Sequence, residues 1–254
     1  MRVFGVLLIA AITWLTAAAG AQTNQTATVL EPEELETILL RAVTNAGRDR
    51  EREALFKAKY AFVRTKITET LDAAGELKKH KERRLPHTPA KPEPHDAPPG
   101  PEDAPPPDRT KRAYERHDIK VTPDLLRRFR FTSVGREDLA GRPAWVIDFW
   151  PVSDGLPAHS LLDKCINRMA GRVWIDVADD LVARANFRLN APVKVVGGLV
   201  GSLKRCEVAF ERRRTEEGFW FTRLLAWRLE GRKLLTRQIM THREEIAEVR
   251  PDRP

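Results

Sequence analysis

Cysteine is almost absent from this chain: Cys165 and Cys206 are the only two in 254 residues. That excludes a disulfide-stapled small scaffold and a four-cysteine zinc site. The loop between them would span about 40 residues, and closing it would contribute roughly 4 kcal/mol in the chain-entropy view. Composition leaves open whether they pair, so Cys165 and Cys206 stand as a possible disulfide.

The signatures of catalysis are missing as well. There is no HExxH, CxxC or GxSxG, the spacings that place metal ligands or a nucleophile for chemistry. Six histidines, at 80, 87, 95, 117, 159 and 242, are scattered, and no pair has helical metal-site spacing. Asp154, His159 and Ser160 share one loop, and close chain neighbours rarely converge as a triad. Asp179-Asp180 reads as a turn between strands. The Gly-rich run Gly197 to Leu203 lacks the Lys-Ser/Thr of a phosphate loop and reads as a corner. The expectation is a chain with no catalytic residues, no metal site and no cofactor: not an enzyme.

Long apolar runs are scarce. The one present, Val3 to Ala19, follows Arg2 and ends in Ala19-Gly20-Ala21. This is the pattern of a secretory signal peptide, so residues 1–21 are expected to be cleaved and the remainder to work in the periplasm. With no cysteine near the cleavage point, a lipid-modified N-terminus is not expected.

Charge is plentiful: 44 Lys and Arg against 36 Asp and Glu, a net +8. Basic balance points to nucleic acid, to an anionic membrane surface, or to a mixed solvated surface. No recognition motif for nucleic acid occurs, so nucleic acid is not an expected partner.

Within residues 22–254 the periodicities are mostly of strands. Glu31–Val43 is the clearest helix. Pro32 suits the first helical position, acids fill the first turn, and Leu35, Ile38, Leu39, Ala42 and Val43 make one apolar stripe. The charged run RDREREALFK reads as its extension. Residues 59–82 alternate around Asp72-Ala73-Ala74-Gly75, a hairpin. From Pro86 to Pro107 ten of 22 residues are proline, so residues 86–109 read as a solvated insert that interrupts a single domain without dividing it. TPDLLRRFRF (Thr122–Phe131) reads as a short helix. About seven further strands follow, with turns at Leu139–Arg142, Asp179-Asp180, Glu216–Gly218 and Glu230–Arg232. In GRVWIDVADDLVARANFRL, Leu181, Ala183, Ala185, Phe187 and Leu189 alternate as one apolar face. Sequential strands joined by short turns predict an antiparallel meander.

Two helices cannot fully cover one face of some nine twisted strands, so an apolar trough is expected. By strand parity its candidate ligand-binding residues are Trp145, Ile147, Phe149, Val173, Ile175, Phe187 and Leu189.

The order of elements, above all PAWVIDFWP and RVWIDVADDLVARANFRL, resembles the LolA/LolB-type superfamily of outer-membrane lipoprotein-sorting proteins over roughly Glu31 to Val249, apart from the Pro-rich insert. The resemblance implies an α+β fold: a curved, unclosed antiparallel β-sheet, a half-barrel, with an N-terminal helix and short helices covering its concave face. It also implies a monomeric periplasmic carrier whose partners are lipid or lipoprotein acyl chains, with envelope membrane proteins as further partners. The alternative is an envelope interaction or stress-sensing module that binds a protein partner on the same fold.

Overall fold

The structure is a computed structural model and describes residues 29–89, 123–153, 156–195, 201–233 and 236–252. The expected signal peptide, most of the Pro-rich segment, Thr122, Asp154 and the Gly197–Val200 corner lie outside the described residues.

One ten-stranded, wholly antiparallel sheet forms the body: β1 (Tyr60–Leu71), β2 (Leu77–His87), β3 (Phe129–Asp138), β4 (Pro143–Pro151), β5 (Met169–Asp176), β6 (Val182–Leu189), β7 (Val193–Val195), β8 (Gly201–Arg214), β9 (Trp220–Lys233) and β10 (Thr236–Pro251). The strand order is β2-β1-β10-β9-β8-β6-β5-β4-β3, with the short β7 beside β8. The first hairpin thus pairs with the last strand, and everything from β3 onward is a meander. The two ends, β2 and β3, do not pair with each other, so the sheet is a curved half-barrel rather than a closed barrel. Among the described strands they are also consecutive in the chain. The connection carrying the prolines therefore leaves one edge of a single sheet and re-enters at the other.

Four helices accompany the sheet among the described residues: α1 (Pro32–Ala46), α2 (Asp49–Lys59), α3 (Pro123–Leu126) and α4 (Leu161–Ile166). Pro32 opens α1, and Glu31 and Glu34 form a reciprocal capping box that satisfies the first free backbone N–H groups. The predicted stripe of Leu35, Ile38, Leu39, Ala42 and Val43 is buried. The charged run after it is a separate helix, because the chain turns at Gly47-Arg48 before α2 begins. Only Phe56 of α2 is buried; its ring stacks on Tyr60, Phe62 and Phe221.

Several expectations need correction. The helix expected over Thr122–Phe131 is only one turn, α3. Beyond it Phe129 and Phe131 recur with a period of two, and β3 takes over. Glu230-Gly231-Arg232 is no turn: all three lie inside β9. Gly231 is there because β8 comes close, and a Cβ on it would sit 2.5 Å from the Ser202 carbonyl oxygen. Pro86 and His87, expected to start the insert, belong to β2, where Pro86 pairs with Val63. Proline is tolerated because β2 is an edge strand and needs no outward donor. The expected single apolar face of β6 is broken by a register shift opposite Trp174/Ile175. Leu181 and Ala183 consequently pack with Trp220 rather than with the rest of that face.

The other hairpin turns hold as read. Gly75, Gly141 and Gly218 take positive φ values of 94°, 83° and 95°, which glycine adopts without steric cost. Asp72 accepts hydrogen bonds from the backbone N–H groups of Ala74 and Glu76 at 2.8 and 3.0 Å.

Candidate functional site

Directly opposed residues of antiparallel strands project from the same face. The register therefore shows which side chains stand in line. Trp145 faces Ile175, Ile147 faces Val173 and Met169 faces Leu189. Phe149, Gly171 and Phe187 form one line. All seven residues singled out by parity thus share one face of the sheet.

That face is not uniformly open. Trp145, Ile147 and Ile175 are buried under α1, in one cluster with Leu35, Ile38, Leu39 and Ala42, and Val173 packs against it. Ile147 is wholly inaccessible. Leu189 is buried with Val193 and Cys206, and Cys165 packs against the same cluster. Both cysteines are free thiols. Burial, with the neighbouring Cys165, pushes the Cys206 thiol up to about 12.

Phe149 and Phe187 stand apart. Their line continues across the sheet as Phe131, Phe149, Gly171, Phe187, Val208, Trp227, His242 and Thr68. Phe149, Phe187, Val208 and Trp227 are only half-buried. Gly171 is the pivot of this line. A Cβ there would lie 2.2 Å from the Asn186 carbonyl oxygen and 2.6 Å from Phe187 Cα. With no side chain between them, the rings of Phe149 and Phe187 approach to 6.4 Å between centroids, although their strands are separated by about 9.6 Å of sheet. At the far end His242 stacks on Trp227 at 5.2 Å and shares a 2.9 Å hydrogen bond with Thr68 Oγ1. Burial pushes the Glu244 carboxyl up, but His242, Lys66 and Arg64 more than offset this and hold it below its usual value.

A groove of about 1010 Å³ follows this line from β4 to β1. On six successive strands, β4, β5, β6, β8, β9 and β10, its lining comprises the residue of the line and both chain neighbours; Ile67 and Glu69 complete it on β1. The chain neighbours of the line include the small residues Ala170, Ala209 and Ala226 and the large or charged Trp150, Arg172, Arg188, Arg228 and Arg243. Arg172 donates two hydrogen bonds to Asp148, of 2.6 and 2.9 Å. Of the seven predicted residues, only Phe149 and Phe187 reach this groove. Trp145 instead lines a smaller cavity of about 480 Å³ beside α1, with the Arg136 guanidinium 3.7 Å above its ring. Val208, Trp227 and His242 were not identified from the sequence. Their parity was readable, but the pairing of β6 with β8 and of β10 with β1 was not.

The residues that invited a catalytic reading have structural roles. Ser160 caps α4, its Oγ accepting from the Asp163 backbone N–H at 3.0 Å. Asp179 accepts hydrogen bonds from Arg142 and from Trp220 Nε1, at 2.8 and 2.9 Å. Among the described residues no group of three or more His, Cys, Asp or Glu could hold a metal ion.

No family model matches the chain, and no curated protein matches it. Solved structures that superpose on it include one described as an outer membrane lipoprotein-sorting protein domain from Vibrio parahaemolyticus, 12% identical with a TM-score of 0.29, over 84% of this chain and 93% of that one. A DUF1329 family protein from Desulfovibrio piger is 12% identical with a TM-score of 0.27, over 83% and 93%. The MucA/MucB complex of Pseudomonas aeruginosa is 11% identical with a TM-score of 0.22, over 83% and 100%. The half-barrel architecture is read from the sheet itself, and none of these likenesses bears on what the groove holds.

Proposed function

We propose that the protein is a periplasmic carrier or binding protein for lipids or lipoprotein acyl chains, which lie along the line of Phe149, Phe187, Val208 and Trp227. One observation carries this: half-buried apolar side chains stand in register along a groove of about 1010 Å³, the size of a ligand site. From Phe149 to Trp227 the line crosses four strand spacings, about 19 Å. One leaflet of a bilayer's hydrocarbon is roughly 15 Å thick, so an acyl chain has room to extend. Each CH₂ withdrawn from water would contribute about 0.8 kcal/mol. The signal-peptide pattern of residues 1–21 supports a periplasmic location.

The test is mass spectrometry of the organic extract of the protein purified gently from its native periplasm. A stoichiometric long-chain lipid, lost in Phe187→Glu while the protein stays folded, is the expected result. A folded, lipid-free protein would count against the reading. A second reading has its own support: Asp148, Arg172, Arg188, Glu207, Arg228 and Arg243, of the opposite strand parity to the line, also border the groove, and charges of both signs suit a polypeptide. In that case the same purification yields a defined protein partner and no lipid, and the protein acts as an envelope interaction module.

A further inference from the structure

The β1–β2 hairpin lies at one end of the sheet and is unlike the rest of the surface. From Leu77 to Arg84 every residue of β2 is exposed. Residues 60–87 hold seven Lys or Arg against four Asp or Glu. Two of the four acids are engaged and Glu76 and Glu82 are exposed, while three of the cations, Arg64, Lys66 and Arg84, pair with Glu244 and Glu248 of β10. Glu69 accepts from Thr241 and lies 3.1 Å from His80, and Asp72 is taken up by its own turn. Lys79 and Lys81 make no ion pair or hydrogen bond with described residues, and Lys78 meets Asp72 only through space. Leu77, opposite Leu71 where the strand leaves the turn, is 56% exposed. Lys79 and Lys81 stand opposite Thr70 and Thr68, so they project from the same face as the line that runs through Phe187 and Trp227.

We infer that this hairpin docks the protein on the surface of an anionic phospholipid bilayer, through Lys78, Lys79 and Lys81, with Leu77 entering the headgroup region. The inference is independent of what the groove holds. Lysines on an edge strand also discourage sheet-to-sheet aggregation, but that role gives no reason to expose Leu77. Lysine is a compact point charge on a flexible stem, suited to a diffuse negative surface. Planar, paired recognition of a carboxylate or phosphate in a protein partner would favour arginine. Apolar anchor and adjacent cations are the combination that binds an interface.

The experiment is co-sedimentation of the protein, without the expected leader, with vesicles of phosphatidylcholine alone and of equal parts phosphatidylcholine and phosphatidylglycerol. Binding should be confined to the anionic vesicles and weaken with salt. The Lys78→Gln/Lys79→Gln/Lys81→Gln variant should bind about a hundredfold more weakly, and Leu77→Ser about tenfold. A charge-matched control, Arg130→Gln/Lys194→Gln/Lys204→Gln, removes three exposed cations elsewhere and should bind nearly as the parent does. Circular dichroism and thermal melting establish that each variant is folded. No binding by the parent, equal binding by the lysine variant, or an equal loss in the control would each overturn the inference. So would binding to soluble polyglutamate in place of vesicles, which would assign the hairpin to an acidic protein.

Discussion

Arg142 and Asp176 tie the β3–β4 turn to the β5–β6 turn. The guanidinium donates from Nε to Oδ2 at 2.6 Å and from Nη2 to Oδ1 at 2.7 Å, and Asp176 is only 1% exposed. The same carboxylate accepts from the backbone N–H groups of Ala178 and Asp179 at 3.0 and 2.9 Å. The Asp-Asp turn is therefore held from inside the protein. Asp176→Asn leaves the Arg142 charge beside a neutral amide. Because Arg142 remains partly in water, the loss should fall at the lower end of that for a broken buried pair, about 3 kcal/mol, read from urea unfolding.

The same pair sets a pH dependence. Burial pushes the Asp176 carboxyl up, but Arg142 and the turn N–H groups more than offset this, so the folded protein holds it below the usual carboxylate range. A depressed folded pKa contributes stability that is fully present above the unfolded value of about 3.9 and fades as pH falls through the folded one. The stability gap between parent and Asp176→Asn should therefore be constant near neutrality and close below pH of about 4. A gap that persists at strongly acid pH would show that geometry, not charge, makes the contribution.

Gly171 is required by the close approach of β6. Gly171→Ala should cost about 1–3 kcal/mol through overpacking, even though alanine is otherwise at least as good in a strand. Denaturant unfolding measures this. A neutral result would mean that β5 and β6 can separate without loss.

Ile147 and Phe187 project from one face and should behave differently. Ile147→Ala opens a cavity beneath α1 and should cost about 2–5 kcal/mol. Phe187, half-buried beside the groove, should lose less stability on truncation and, if the proposed carrier function holds, more of the extractable lipid. Unfolding and extractable lipid, measured on both variants, separate core from site.

Cys206 should resist alkylation in the folded protein at pH 8, since burial pushes its thiol up to about 12. It should react at once on unfolding. A raised folded pKa contributes nothing below the unfolded value of about 8.5, and stability then falls by about 1.4 kcal/mol per pH unit as pH rises toward the folded one. Alkaline unfolding of Cys206→Ala should lack that component.

The first helix and most turns were legible because each rests on a local cause. Pro32 and the acids before Leu35 specify a helix start, and glycines at positive φ specify Gly75, Gly141 and Gly218. The alternation of Trp145, Ile147 and Phe149 was likewise enough to place them on one face. Where local signals misled, a distant strand was the reason. Gly231 resembles a turn residue, yet it lies within β9 because Ser202 presses on it. Leu181 and Ala183 follow the parity of Phe187, yet a register shift against Trp174/Ile175 sends them elsewhere. The sequence by itself determined which residues alternate, where the chain turns and which helix carries an apolar stripe, since these depend on neighbours a few positions away. Only the tertiary structure decided that β1 pairs with β10, that α1 covers Ile147 and leaves Phe187 half-open, and that Trp227 and His242 complete the line begun at Phe149. Those outcomes depend on contacts between residues far apart in the chain, and side-chain periodicity carries no information about which strand lies beside which.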